Sequence, residues 1–281
     1  MIPLAKEIKT FDGKFVLGKA FTVKFDEKVV FDKELLTGRL SGYEWSEAEN
    51  ADVVFVFDEK LTAEGYRLEV GDGVNVSASS SAGAFYGWMT FAQMMADGSV
   101  QKCVVCDEPR FNYRGIMLDV ARHFFDKNTV KRLLDDMAFY KLNVFHWHLT
   151  EDQGWRIEIK KYSELARVAC KRNNEQLNRA GDMENEPYGE GCFFTQEDVK
   201  EIVDYAAKRN ITVIPEIDMP GHITSALSVF PELSCEGKPL EVSPRFGIKD
   251  TIGCVGNPDL SSLPATLSTK YALFSLRRIF I

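Results

Sequence analysis

The chain has 281 residues, of which 45% are hydrophobic and 27% are charged, and its net charge is −8. These values are typical of a globular protein with one large or two ordinary domains. The negative charge, without any basic run, argues against nucleic acid or an anionic membrane as a partner, and no apolar run approaches the ~18 residues of a membrane span. The N-terminus lacks the apolar core of a signal peptide, which predicts a cytoplasmic protein, or an extracytoplasmic one if the N-terminus is incomplete.

Six cysteines are too dilute for a disulfide scaffold in a chain of this length. Cys103 and Cys106 form a single CxxC pattern. A redox or zinc role would need a βαβ context or a second pair, and the sequence offers neither. We therefore interpret the pair as two thiols on a strand edge.

Residues 1–109 are predicted to form an α+β domain. Glycine, aspartate and lysine clusters separate its short strand-like runs, which are Lys14–Leu17, Phe21–Phe25, Val53–Phe57, Tyr66–Val70 and Val74–Ser77. The segment 71–73 (Gly-Asp-Gly) predicts a hairpin turn, since Asp-Gly tolerates positive φ. Ser80–Met95 predicts a helix that begins at a serine cap and is apolar around most of its surface, hence buried on a sheet. No catalytic constellation is visible in this domain.

From Phe111 onwards, strand and helix patterns alternate. Tyr113–Asp119 predicts a buried strand that ends in an acid, and Thr129–Tyr140 predicts a helix with apolar residues at three- and four-residue spacing. The next strand lies in Asn143–Arg156 (NVFHWHLTEDQGWR), where His146 and His148 fall on one face.

A polar stretch over Lys160–Cys192 follows and is too long for a plain connector. Thr195 and Asp198 resemble a capping box that opens a helix. Ile211–Ile217 then predicts a third apolar strand. This alternation indicates a parallel sheet, and a (β/α)₈ barrel in particular.

Polar residues collect where these strands end. The histidines are His123, His146, His148 and His222, and the acids are Asp119, Glu151, Asp152, Glu216 and Asp218, with Arg122 beside them. Each could instead be a buried, hydrogen-bonded structural residue, but their convergence predicts one polar site. Two chemistries remain open. One is acid–base work on a sugar, with Arg122 and aromatics such as Trp155 binding the ring; the other is a metal site using His146, His148 and His222.

Three motifs occur in order: YRGIMLDVARHFF, KLNVFHWHLTEDQGWR and ITVIPEIDMPGHITSAL. Together they resemble the β-N-acetylhexosaminidases of glycoside hydrolase family 20, and the resemblance covers residues 1 to about 259. It implies an α+β N-terminal domain followed by a (β/α)₈ TIM barrel. It also implies hydrolysis of terminal, non-reducing β-linked N-acetylglucosamine or N-acetylgalactosamine from glycans. The reaction retains configuration, the substrate's own 2-acetamido group is the nucleophile, and no cofactor is needed.

The resemblance assigns roles to individual residues. Arg122 matches the family arginine that binds the C3 and C4 hydroxyls of the sugar. Glu151 matches a carboxylate that pairs with a histidine, here His222, and supports the protonation cycle of the general acid. Asp152 is the next carboxylate of this supporting group. The last pair of cysteines, 235 and 254, match positions that pair in some relatives.

The chain departs from the family after residue 259. The family's proton-donor Glu and its partner Asp lie in a motif like HIGGDE, which is absent here, and residues 260–281 contain no acid. We therefore expect a partial TIM-barrel domain over 110–281, with about the first three βα units and a non-native tail over 260–281. We expect this chain alone to be inactive, with poor solubility or a molten C-terminal half. The alternative is a non-catalytic sugar-binding remnant.

Overall fold

The computed structural model describes residues 1–95, 98–176, 182–184 and 186–260. The chain forms two compact units. The first holds residues 1–114 with the short segments 135–143 and 208–211, and the second holds most of the remainder. Over the described ranges, no helix is both long and apolar enough to cross a membrane. The predicted tail over 260–281 lies, apart from its first residue, outside the described residues.

The described part of the first unit is built on one mixed sheet. Its strands are β1 (Glu7–Val16), β2 (Ala20–Phe25), β3 (Glu44–Glu47), β4 (Val53–Phe57), β5 (Tyr66–Val70), β6 (Val74–Ala78) and β7 (Ser99–Asp107). They lie in the order β1-β7-β5-β6-β4-β2-β3. The pairs β2/β3, β2/β4 and β4/β6 are parallel, and the pairs involving β5 or β7 are antiparallel. Short 3₁₀ turns follow β2 at Glu27–Val29 and Lys33–Leu36.

Helix α1 (Ser81–Met94) belongs to the same unit. Ser80 caps it as predicted, because its hydroxyl oxygen accepts the N–H groups of Ala82 and Gly83 at 3.1 and 3.2 Å. Most of the helix surface is buried, including Trp88, whose indole N–H donates to the Leu36 carbonyl at 3.1 Å. The prediction of a capped, buried helix is therefore confirmed.

Two predictions for this unit were incomplete or wrong. The 71–73 hairpin forms between β5 and β6, with the Gly71 N–H donating to Gly73 at 2.9 Å, but none of its three residues has positive φ. The turn therefore does not depend on the left-handed region. Cys103 and Cys106 lie in β7, which pairs with β1 on one side and β5 on the other. They occupy an interior strand rather than a strand edge, and burial raises the pKa of the Cys103 thiol.

The second unit contains the predicted parallel strands. In chain order its elements, some of which share residues with the first unit, are β8 (Gly115–Asp119), α2 (Lys127–Phe139), β9 (Val144–Glu151), β10 (Gly154–Trp155), α3 (Ser163–Arg167), β11 (Glu175–Gln176), β12 (Met183–Glu184), α4 (Gln196–Ala207), β13 (Thr212–Ile217) and α5 (Thr224–Leu227). Short 3₁₀ turns lie at Lys160–Tyr162 and Pro231–Leu233. Strand β9 is central and pairs in parallel with β8 and β13. This is a partial barrel sheet over the residues that are described.

One strand is less buried than its sequence predicted. Residues Ile116 and Met117 of β8 are 38% and 53% exposed. Among the described residues β8 pairs with β9 alone, so its other edge lacks a strand neighbour. An apolar sequence shows that a strand is suited to burial, whereas its actual burial depends on the neighbours that cover it.

The helices of this unit agree with their sequence patterns. Helix α4 begins at the predicted capping box, in which the Thr195 hydroxyl bonds to the Asp198 carboxylate at 2.7 Å and accepts the Asp198 N–H at 3.0 Å. The Asp198 carboxylate also accepts the Thr195 N–H at 3.1 Å. Aspartate therefore replaces the usual glutamate of this motif effectively.

Candidate active site

A turn at the carboxyl end of β8 presents an arginine. The Asp119 carboxylate accepts the main-chain N–H groups of Ala121 and Arg122, both at 3.0 Å, which folds the chain back after the strand. Its second oxygen accepts the Arg122 guanidinium at 2.6 Å. Arg122 keeps a third of its side chain exposed. The aspartate therefore sets both the turn and the direction of a cation that solvent can reach.

The carboxyl end of β9 supplies the second partner of that cation. Glu151 is 1% exposed and forms an ion pair with Arg122. The same Glu151 oxygen lies 2.8 Å from His222 Nδ1. Burial raises the pKa of the Glu151 carboxyl above its usual value, against the opposing effects of the Asp152 N–H and Arg122. This carboxylate therefore joins an arginine to a histidine at the strand ends.

Asp152 is hydrogen-bonded to the first residue of α5. It is fully buried, and one of its oxygens accepts the N–H and the hydroxyl of Thr224 at 3.0 and 2.6 Å. Its other oxygen lies 3.5 Å from His222 Nδ1, and His222 has a φ of 53°. The neighbouring Ser225 hydroxyl donates to the Glu151 carbonyl at 2.6 Å. Asp152 thus anchors the loop that carries His222.

A second polar group lies across β9 and β13. His146 Nε2 and His148 Nδ1 converge on one oxygen of Glu216, at 2.5 and 2.9 Å, because His148 is the register partner of Glu216. Burial favours a higher Glu216 pKa, but the two imidazoles hold that pKa below its usual value. Burial and the adjacent Glu216 raise the pKa of Asp218. These acids and imidazoles form a coupled network at the sheet end.

Most of the predicted strand-end residues therefore meet, with two exceptions. His123 is exposed, and its ring centroid lies 5.3 Å from that of Tyr188. Trp155 was predicted to bind a sugar face, and this prediction is wrong. Its side chain is fully buried and its indole N–H donates to the Ile157 carbonyl at 2.8 Å. Trp155 therefore packs inside the second unit.

Two groups in the described part of the chain bring three possible cation ligands within 4.8 Å of one another. One is His148, Glu216 and Asp218, and the other is Glu151, Asp152 and His222. The metal alternative required His146, His148 and His222 in a single ligand set. His222 instead belongs with Glu151 and Asp152, so that proposed set is wrong.

Sequence reasoning missed the arginines beneath the site. Arg156 is fully buried and Arg172 is 4% exposed. Arg156 stands at the end of a quoted motif without an assigned role, and Arg172 lies in the polar stretch after it. The one available signal was the position of Arg156 beside a run of apolar residues predicted to be buried. An arginine there is itself expected to be buried, and a buried arginine needs specific partners.

The architecture is a mixed-sheet unit together with parallel strands whose carboxyl ends hold an arginine among carboxylates. Enzymes with a barrel-type catalytic domain carry their active sites at this end of the strands. The profile described as glycosyl hydrolase family 20, catalytic domain, matches residues 111–273, and that of domain 2 of the same family matches residues 1–108. The chain belongs to glycosyl hydrolase family 20.

Named relatives agree with this assignment. A β-hexosaminidase of Porphyromonas gingivalis is 37% identical over 285 residues, covering 91% of this chain and 35% of the relative. A β-hexosaminidase of Vibrio furnissii is 38% identical over 245 residues, covering 83% and 39%. The chain therefore spans well under half the length of these curated relatives.

Solved structures give the same result. A β-N-acetylhexosaminidase of Bacteroides fragilis has a TM-score of 0.81 at 32% identity, covering 97% of this chain and 54% of that one. An exo-β-N-acetylglucosaminidase of Vibrio harveyi, in complex with N-acetylglucosamine, has a TM-score of 0.84 at 29% identity, covering 98% and 45%. The fold and the family thus agree over nearly the whole of this chain.

Proposed function

We propose that the chain supplies the sugar-binding part of a β-N-acetylhexosaminidase. The complete reaction would remove terminal, non-reducing β-linked N-acetylglucosamine or N-acetylgalactosamine from glycans. The substrate's 2-acetamido carbonyl oxygen would attack the anomeric carbon as the glycosidic bond breaks, and water would then open the cyclic intermediate with retained configuration. Relatives named β-hexosaminidase and N,N'-diacetylchitobiase support this substrate class.

The observation that carries the proposal is the position of Arg122. Its guanidinium is held by Asp119 and Glu151 while a third of the side chain stays exposed. A planar guanidinium fixed in this way can donate two parallel hydrogen bonds to a pair of adjacent hydroxyls, as on a sugar ring. Arg122 is therefore assigned to bind the terminal sugar.

Glu151 and His222 have a supporting role in this proposal. Their 2.8 Å contact places the His222 imidazole on a buried carboxylate. The carboxylate stabilises the protonated imidazole and sets the orientation of its ring. The pair would in this way support a general acid, supplied elsewhere in the site, as that acid loses and regains its proton. Asp152 holds the His222 loop through Thr224.

The residues of this chain do not include a match to the family's proton-donor Glu and its partner Asp. We therefore propose that the chain by itself binds the sugar and does not hydrolyse the glycoside. The cytoplasmic location stays a prediction, since nothing in the fold tests it.

A binding titration tests the proposal. N-acetylglucosamine is added to the isotope-labelled chain and followed by NMR, with the Arg122→Lys and Arg132→Lys variants in parallel. Losing a bidentate guanidinium contact should weaken binding about 10-fold to 100-fold, whereas Arg132, an exposed residue of α2, should tolerate the change. Equal affinity of wild type and Arg122→Lys would reject the assigned role. Turnover of a nitrophenyl N-acetyl-β-glucosaminide by the purified chain would reject the statement that it binds without hydrolysis.

A further inference from the structure

A buried arginine contacts the Arg122 turn, and within the described part of the chain its guanidinium donates hydrogen bonds to carbonyl groups and not to an acid. Among the described residues, the Arg156 guanidinium donates to the Ala121 carbonyl at 2.9 and 3.2 Å, to Cys170 at 2.6 Å and to Cys192 at 3.1 Å. Burial, with Arg172 nearby, lowers the pKa of Arg156 to about 10. It is still a cation at neutral pH, and burying a cation without a carboxylate is costly. This cost suggests that Arg156 has a specific structural role.

A second arginine extends the same contacts. Arg172, which is 4% exposed, donates to the Gln153 carbonyl and to the Arg122 carbonyl, both at 2.9 Å. Its guanidinium lies over the Tyr188 ring at 4.2 Å, and the two residues exchange main-chain hydrogen bonds of 2.9 Å. The Tyr188 hydroxyl accepts the Phe124 N–H at 2.7 Å. We call Arg156, Arg172 and Tyr188 the arginine clamp.

The contacts of the clamp fall on the main chain of the proposed sugar site. Three of its partners, Ala121, Arg122 and Phe124, belong to the turn that carries the exposed guanidinium. A fourth, Gln153, follows directly after Glu151 and Asp152. The clamp therefore ties the segment after β8 to the segment after β9. The first segment carries Arg122, and the second directly follows Glu151, the last residue of β9 and a carboxylate partner of Arg122.

The surrounding chain leaves space for the clamp. A Cβ atom on Gly154 would overlap the Arg156 guanidinium, and one on Gly189 would overlap the Cys170 carbonyl oxygen and lie 3.1 Å from Arg156 Nη1. Gly189 also has a φ of +98°, a conformation that glycine adopts without strain. Two glycines so near one guanidinium are consistent with a closely fitted group.

We propose that the arginine clamp positions Arg122 for sugar binding by fixing the main chain on both sides of it. The inference rests on the proposed function of Arg122, and it assigns the clamp no direct contact with the sugar. Arginine suits this task because its planar group can donate to several carbonyls at once. A lysine ammonium in the same place would keep the charge but could not span the same acceptors.

The test compares Arg172→Lys, Tyr188→Phe and a matched control, Arg209→Lys. Arg209 is also a buried arginine (8% exposed) and donates to Asp135 at 2.7 Å in the first unit. Two signals are measured on the full chain. One is the Arg122 Nε–H resonance without any sugar, assigned by its loss in Arg122→Lys, and the other is N-acetylglucosamine affinity.

Arg172→Lys should shift or broaden the Arg122 resonance and weaken sugar binding about tenfold, as expected for the loss of one or two hydrogen bonds. Tyr188→Phe, which removes the hydroxyl that accepts the Phe124 N–H, should have the same effect to a smaller extent, and Arg209→Lys should have none. An unchanged Arg122 resonance in folded Arg172→Lys, or in Tyr188→Phe if the lysine variant does not fold, would overturn the proposal. If the resonance responds but wild type does not bind the sugar, the clamp stands and the proposed function fails.

Discussion

Replacing Glu151 by glutamine tests whether the cost of burying its charge or the gain from its ion pairs has the larger effect on the stability of the folded chain. Glu151 contacts Arg122 and His222 through one oxygen, and its other oxygen accepts the Asp152 N–H. Burial raises the pKa of Glu151, so the ionised carboxylate is less stable in the folded chain than in the unfolded chain, relative to the neutral acid. Glutamine has almost the same shape and removes the charge, so it relieves this cost.

The two effects of the substitution oppose each other. The single amide oxygen of glutamine can serve either Arg122 or the Asp152 N–H, so about one hydrogen bond is lost, worth ~1–2 kcal/mol. Removing the buried charge stabilises the folded chain by ~1.4 kcal/mol for each pH unit by which folding raises the Glu151 pKa. We therefore expect the unfolding free energy of Glu151→Gln to lie within ~1 kcal/mol of wild type at neutral pH. Sugar affinity should fall about tenfold, because Arg122 loses one of the two acids that hold it.

Urea unfolding and sugar titration measure these two quantities separately. The matched control is Glu64→Gln, which breaks a two-bond contact with Arg114 (3.0 and 3.1 Å) in the first unit. The control should lose ~1–3 kcal/mol of stability and keep its sugar affinity. Wild type should also lose stability relative to Glu151→Gln as the pH rises, starting from the ordinary glutamate pKa of about 4.3 and ending at the raised value.

Either of two results would refute this reasoning. If Glu151→Gln loses as much stability as the Glu64→Gln control, the ion pairs with Arg122 and His222 outweigh burial. If wild type instead gains stability over the variant as the pH rises through that window, the Glu151 pKa is lowered by folding and not raised.

Two further predictions concern the rest of the chain. Gly189→Ala should cost about 3 kcal/mol or more, from left-handed strain and overlap with a carbonyl. Gly191→Ala, where φ is +68° and the space is open, should cost only ~1 kcal/mol in the same urea assay. A hydrogen bond with the Cys235 thiol lowers the pKa of Cys254. Mild oxidation should therefore form a disulfide between these two cysteines, which mass spectrometry would detect as a linked peptide. Disulfides to other cysteines instead would contradict this prediction.

Local chemistry was enough to predict many elements of the fold. Ser80 and the Thr195/Asp198 pair cap their helices because a cap depends on residues within one turn of each other. The parallel arrangement of β8, β9 and β13 follows from the alternation of strand and helix patterns. The carboxyl ends of parallel strands meet at one edge of a sheet, so the approach of Arg122 to Glu151 was also predictable.

The rest of the site depends on contacts between distant parts of the chain. Trp155 was assigned to a sugar face from its residue type, yet its packing and its bond to the Ile157 carbonyl keep it from solvent. Ile116 illustrates the opposite error, because an apolar strand residue stays partly exposed when no described strand covers it. Whether a residue is buried depends on the residues that pack around it. A sequence pattern shows only that the residue is suited to burial.

The site deals with buried charge in two different ways, and the difference matches two tasks. Glu151 is compensated by the side chains of Arg122, which is one-third exposed, and His222, and burial raises the pKa of its carboxyl. Its charge state can therefore respond to a ligand or to the pH. Arg156 is compensated by main-chain carbonyls, which do not titrate, and it stays charged with a pKa of about 10. A group of this kind cannot take part in proton transfer at neutral pH, but it holds the backbone in one place while the carboxylate above it changes state.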